Sequence, residues 1–440
     1  MFFGIAIGIG VAALARTLYE SLSARKSPLA RPAVYACGLL VLLPAVGFSR
    51  NYYHNDRSNN RIAYNYAYNT LACCDKDAVL FTSGDNDTYP LWAMQEVFDF
   101  RKDVRVVNLS LLGADWYIWQ RKEQFGVPIP LSRDQILIQS NDMTGRTEVR
   151  PPKSFMDRAR GEQTYLMPRL AKDRIVTVPQ MLVDEVVLEN RWKYPLYFSA
   201  PPYRESPLKL ADRAVSVGLV YRLDKDPAPG RIDVNKGFEL FTRTFINTGY
   251  ASSKPYRDEN ATNVLVTYGY NTSNLYDELI RTGDTARALE LFDTISVKYP
   301  EYWQLPLQVA SLHDARHDSA RAEQVLTRLR DTLAAFHAAS PTNLTYISDY
   351  GMILTEIGKR HKDQGMIQAG IALMWQGFEG NPNSALAFRK LVSALGQTGD
   401  MAGAQKAARM IAEYKINQND GYVQRLSGIT PPSGIQIPEE

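Results

Sequence analysis

Residues 78–112, AVLFTSGDNDTYPLWAMQEVFDFRKDVRVVNLSLL, constrain this chain more than any other stretch. Val79 to Thr82 form a short apolar, β-favouring run of the kind that becomes a buried parallel strand, and Ser83-Gly84-Asp85-Asn86-Asp87 breaks it with turn-forming residues. From Tyr89 onward Leu91, Met94, Val97 and Phe98 recur at three and four residues, which predicts a helix capped by Asp87 or Thr88 with Pro90 in its first turn. Residues 105–112 then read as a second buried strand. The order strand, helix, strand is a βαβ unit. It places the acidic segment 84–87 at the carboxyl end of a strand, where open α/β sheets gather ligands.

The bulk composition is that of a globular protein: 45% hydrophobic and 22% charged residues, with a net charge of +3 that gives no support for a nucleic-acid surface. Cys37, Cys73 and Cys74 are too few for a disulfide framework, and adjacent cysteines rarely close a bridge, so all three read as reduced. The first fifty residues differ from the rest. Two almost wholly apolar runs, 2–15 and 33–48, flank a connection carrying Arg16, Arg25, Lys26 and Arg31 against the single acid Glu20. Each run is shorter than the roughly 20 residues that span a bilayer upright, but the pair reads as a transmembrane helical hairpin contacting membrane lipid. The positive-inside rule puts the basic connection in the cytoplasm and residues 50–440 in an extracytoplasmic space, periplasmic or lumenal. Met1 lies inside an apolar run, so the chain reads as the last part of a longer polytopic protein.

Helical spacing of Ile62, Tyr66, Asn69 and Thr70 predicts a helix ending near Cys73. After a short aromatic helix at 113–119, residues 141–169 read as a long polar excursion. A strand at 175–178, a helix opened by Pro179, a strand at 195–199 and a β-rich run at 215–223 follow. From about Asn260 the period becomes helical, and the Gly283-Asp284 turn recurs as Gly399-Asp400. Four helical hairpins are expected, with Pro300 and Pro382 in the place of the proline that closes a tetratricopeptide-type unit. The fold class is thus α/β plus all-α: a membrane hairpin (1–50), a Rossmann-like α/β domain (51–255), a tetratricopeptide-like array suited to binding protein or peptide (256–426), and a flexible tail (427–440).

NYYHNDRSNN (51–60), AYNYAYNTLACC (63–74), LFTSGDNDTYPLWAMQEV (80–97), RKDVRVVNLSLL (101–112) and DWYIWQ (115–120) together resemble the domain-of-unknown-function 2723 family. Those polytopic membrane proteins are similar to protein O-mannosyltransferases. The resemblance implies transfer of a sugar from a lipid-linked donor to protein, with the catalytic acid in an early loop between amino-terminal membrane helices. No such loop lies in this sequence, so the chain would serve acceptor or partner binding. The alternative is a non-catalytic, membrane-anchored protein-binding scaffold.

Asp85, Asn86 and Asp87 offer two carboxylates and an amide for a divalent cation or sugar hydroxyls. Tyr89, Trp92, Asp115 and Trp116 add aromatic faces and a further acid. Helix capping is the competing reading of the acidic residues. His313 and His317 have the spacing of a zinc pair but lack the glutamate of HExxH. Nucleophile-elbow, phosphate-loop and dinucleotide motifs are absent from the sequence.

Overall fold

The structure is a computed structural model that describes residues 2–39, 43–138, 147–149, 178–204, 206, 208–227, 229–250, 256–295 and 304–413. The polar excursion apart from 147–149, residues 175–177 of the expected strand 175–178, Pro300 and the tail at 427–440 lie outside the described residues; Val178 begins a helix instead of ending that strand. The chain divides into two compact units: residues 1–60 with 254–256, and the remainder.

In the first unit, α1 (Phe2–Ala24) packs on α2 (Ala30–Leu39), and α3 (Leu43–Asn55) follows. The transmembrane reading of 1–50 needs correction. Helices form there, yet among the described residues none is long and apolar enough to cross a membrane. In the 23-residue α1, Arg16 and Glu20, ion-paired at 2.8 Å, end the apolar run before the helix does. Ile9, Leu14, Tyr35, Val46 and Phe48 remain exposed.

The second unit is built on a five-stranded mixed sheet, ordered β2-β1-β5-β7-β6. Its strands are β1 (Val79–Thr82), β2 (Arg105–Asn108), β5 (Leu196–Phe198), β6 (Ala214–Val217) and β7 (Val220–Leu223); a separate antiparallel pair joins β3 (Ile136–Ile138) to β4 (Thr147–Val149). β1 lies between two parallel neighbours, with Val79 opposite both Arg105 and Leu196. That is why it is apolar on both faces. Side chains alternate along it. Leu80 enters a core shared with α4 (Ile62–Cys73), whereas Val79 and Phe81 enter a second core with α6 (Asp115–Glu123) and α7 (Val178–Asn190). At the antiparallel edge, the β6–β7 turn requires Gly218: its φ is +63°, and a Cβ would sit 3.0 Å from the Cys73 sulfur.

Two local expectations shift. The helix α5 (Asp85–Phe98) begins four residues before Tyr89, so the acidic residues lie inside its first turn and Pro90 falls within the helix rather than in that turn. β2 stops at Asn108 instead of running to Leu112, and a 3₁₀ turn takes Leu111–Gly113.

Beyond α8 (Leu210–Arg213) and α9 (Val234–Glu239), four helical hairpins form as their periodicity predicts. They pair α10 (Glu259–Arg281) with α11 (Thr285–Ile295), α12 (Gln304–Ala315) with α13 (Ser319–Ala339), α14 (Leu344–His361) with α15 (Gln364–Gly380), and α16 (Ala385–Thr398) with α17 (Met401–Ala412). Every hairpin turns on a left-handed residue followed by an aspartate: Gly283-Asp284, His317-Asp318, Lys362-Asp363 and Gly399-Asp400. Each of these aspartates accepts a backbone N–H three residues on and caps the second helix. The first hairpin shares the α4 core through Tyr268, Leu275, Leu279 and Leu291, which makes the sheet and the array one compact unit.

Candidate functional site

The strand order changes direction between β1 and β5, so the crevice outside their carboxyl ends is where the fold favours ligands. Residues 84–87 and Ser199 do lie there, but they are tied to each other. Gly84 is the N-cap of α5 and offers no side chain. Asp87 accepts hydrogen bonds from the Tyr66 hydroxyl (3.2 Å) and the Ser199 hydroxyl (2.9 Å), which links α4, α5 and β5. Burial, with Asp87 beside it, pushes the Tyr66 phenol far above its ordinary value, so it stays a donor. Asn86 donates to Asn260 at 3.1 Å, at the start of α10. Asp85 is exposed, and its charge, with a hydrogen bond between the two side chains, pushes the Tyr89 phenol up. Among the described residues no group of three or more His, Cys, Asp and Glu could hold a metal ion.

These contacts set the expected effect of two substitutions. Asp87→Ala strands two hydroxyl donors and is expected to destabilise the protein by about 2 kcal/mol. Asp85→Ala, at an exposed position, should change stability by less than about 0.5 kcal/mol. Urea unfolding of both variants checks the contrast, and equal stabilities would refute it.

Behind this crevice, Thr88 closes a buried polar network. Its hydroxyl meets that of Thr82 at 2.7 Å, donates to the Gly84 carbonyl at 2.6 Å, and accepts from the Asn108 amide at 2.8 Å. Asn108 also donates its backbone N–H to the Tyr117 hydroxyl at 2.8 Å. That contact leads to the other side of α5.

There β2 is the outer strand of the sheet, and an edge strand with open N–H and C=O groups invites foreign pairing. Side chains cover it here: Gln95 donates to the Val104 carbonyl (2.7 Å), Arg121 to the Val106 carbonyl (3.1 Å), and Tyr117 accepts from Asn108. Over them lies an open cleft of about 940 Å³ between α5, α6 and β2. Tyr89 and Trp92 stack across 5.6 Å at 27° on one wall, and Trp116, largely exposed, stands on the other. The sequence-predicted residues therefore separate. Tyr89, Trp92 and Trp116 come together in the cleft; Asp85, Asn86, Asp87 and Asp115 are not among its lining residues.

Sequence reasoning missed Arg121. It is only 6% exposed, and its guanidinium lies 3.6 Å from the Phe125 ring centroid, 4.9 Å from that of Tyr117 and 5.6 Å from that of Trp92. Burial pulls its pKa below the ordinary arginine value. The signal was available in the spacing, because Tyr117 and Arg121 are four apart and share a helix face.

No curated protein matches the sequence. The segment that carries α4, β1, α5, β2 and α6, and with them the aromatic and cationic lining of the cleft, does match a known domain: residues 63–151 fit the family model described as TMEM260-associated domain 2.

Proposed function

We propose that this chain is the carbohydrate- and partner-binding part of a membrane glycosyltransferase-like protein, O-mannosyltransferase-like in its resemblance, and that the cleft between α5 and α6 holds a sugar. One observation carries the reading: Tyr89, Trp92 and Trp116 line one open cleft. Aromatic rings with a polar edge suit the apolar faces and hydroxyls of a pyranose. The parallel β2-β1-β5 core is Rossmann-like in this reading, and the helical hairpins are tetratricopeptide-like repeats that hold a protein or peptide acceptor. The exposed apolar side chains of α1 to α3 attach the chain to lipid, and the resemblance to membrane O-mannosyltransferases favours an extracytoplasmic position for the remainder. A lipid-linked sugar would be the donor.

Tryptophan fluorescence of the full chain, titrated with manno-, gluco- and glucurono-oligosaccharides, tests the cleft. Trp116→Ala should weaken the binding by about tenfold, as loss of a stacking face does, with little change in Tm. Binding that survives Trp116→Ala and Trp92→Ala undiminished would place the sugar elsewhere and end the reading. The second reading, a protein-binding scaffold without sugar recognition, draws on the four stacked hairpins, and predicts that none of the saccharides binds.

A further inference from the structure

We propose that the sugar taken by this cleft carries an oxyanion, a carboxylate or a phosphate, that seats on Arg121; this rests on the carbohydrate reading above. The observation is a pair of buried donors on two side chains that line one cleft. Arg121 Nε and Trp92 Nε1 are buried and have no hydrogen-bond acceptor among the described residues. They are neighbours, with the guanidinium carbon 5.6 Å from the centroid of the Trp92 ring.

A buried donor left without an acceptor costs about 1–3 kcal/mol, and more when it is charged. Two such donors on adjacent side chains are therefore unlike the rest of a fold that satisfies its polar groups. Arg121 also lacks an ion-pair partner among the described residues. The two acceptors it does have are neutral: the Val106 carbonyl at 3.1 Å through Nη1 and the Gln120 side-chain oxygen at 3.0 Å through Nη2. Those bonds hold the guanidinium plane in place and leave Nε–H unused. A guanidinium takes an oxyanion through two parallel N–H groups, a geometry that a lone sugar hydroxyl cannot match. The aromatic rings packed around it keep the charge out of water, which strengthens such a contact. The indole N–H of Trp92 supplies a further donor for an oxyanion oxygen or an adjacent hydroxyl.

The test compares methyl glucuronide, glucose 6-phosphate and methyl glucoside on the full chain, by tryptophan fluorescence and NMR titration, with acetate and inorganic phosphate as controls. At least one acidic sugar should bind about tenfold more tightly than the neutral one, the size expected of a charge-assisted contact, and which arm responds identifies the oxyanion. Arg121→Lys keeps the charge but loses the fork, and should cut that preference to less than about threefold. Because Arg121 also covers the edge of β2, Trp92→Phe provides an independent check. It keeps an aromatic face, removes the N–H, and should weaken the acidic sugar about threefold more than it weakens methyl glucoside. Equal binding of all three sugars would overturn the oxyanion inference and leave the carbohydrate reading standing. Binding of none would overturn both. Acetate or phosphate bound as tightly as the acidic sugars would also overturn the inference, since the site would then hold an adventitious ion only.

Discussion

Gly370→Ala is expected to lower the Tm by about 2–3 °C, a loss of about 2 kcal/mol in a chain of this size, although alanine is the better helix former. The reason is the closeness of α14 and α15. A Cβ on Gly370 would sit 2.8 Å from the Thr355 backbone nitrogen and closer still to the Gly351 carbonyl oxygen. A Cβ on Gly351 would in turn stand 2.5 Å from the Gly370 carbonyl oxygen. Backbone atoms cannot rotate away as a side chain does, so the two helices must part and their shared packing opens. Gly358 and Gly377 repeat the arrangement seven residues further along each helix. A Cβ on Gly358 would come within 2.9 Å of the Ile367 nitrogen. Gly396 supplies the internal control. It is exposed in α16 with open space where its Cβ would be, so Gly396→Ala should stabilise by about 0.5–1 kcal/mol. The same substitution thus has opposite signs at two helical positions. Calorimetry checks this, and a Gly370→Ala protein as stable as the parent would show that the seam is not close-packed.

Asn69→Leu is expected to cost about 2–4 kcal/mol and to separate the unfolding of the sheet from that of the helical array. Asn69 is completely buried in α4 and uses both ends of its amide. Its oxygen accepts the Ile246 N–H at 2.9 Å, and its nitrogen donates to the Ile246 carbonyl at 2.9 Å and to the Tyr268 hydroxyl at 2.7 Å. Leucine keeps the branched shape at Cγ but is larger, so some overpacking adds to the loss of partners by backbone groups of Ile246 and a buried phenol. Tyr268 belongs to α10, the first helix of the array, and the Ile246 segment leads into it. One side chain therefore fastens the α/β layer to the hairpins. A single cooperative transition shifted by less than about 1 kcal/mol would refute this role.

The proposed carbohydrate binding and oxyanion preference should depend on neither substitution, because both lie outside the cleft between α5 and α6. A destabilised Gly370→Ala protein should therefore keep its affinity at temperatures where it remains folded.

Several features of this protein were settled by the sequence alone, and they share one physical basis. Val79 to Thr82 is a strand because three apolar residues and a β-branched threonine between turn signals suit burial on both faces, and the strand occupies those four positions. The α4 span and the four hairpins follow from apolar residues repeating at helical spacing, a property of neighbours in the chain. Tertiary structure decided what depends on partners far along the chain. Asp87 could be read as a cap or a ligand, and its place was set by Tyr66 and by Ser199, 112 residues away. The Gly283-Asp284 and Gly399-Asp400 turns were legible from their glycines. His317-Asp318 and Lys362-Asp363 adopt the same turn without glycine, so their equivalence appears only in the backbone. The sequence around Arg121 does not say whether it is buried. Packing of α6 over the edge of β2 buried it among aromatic rings, with a donor for which no described residue supplies an acceptor. Local periodicity determines elements; which charges lose their water is decided when distant elements meet.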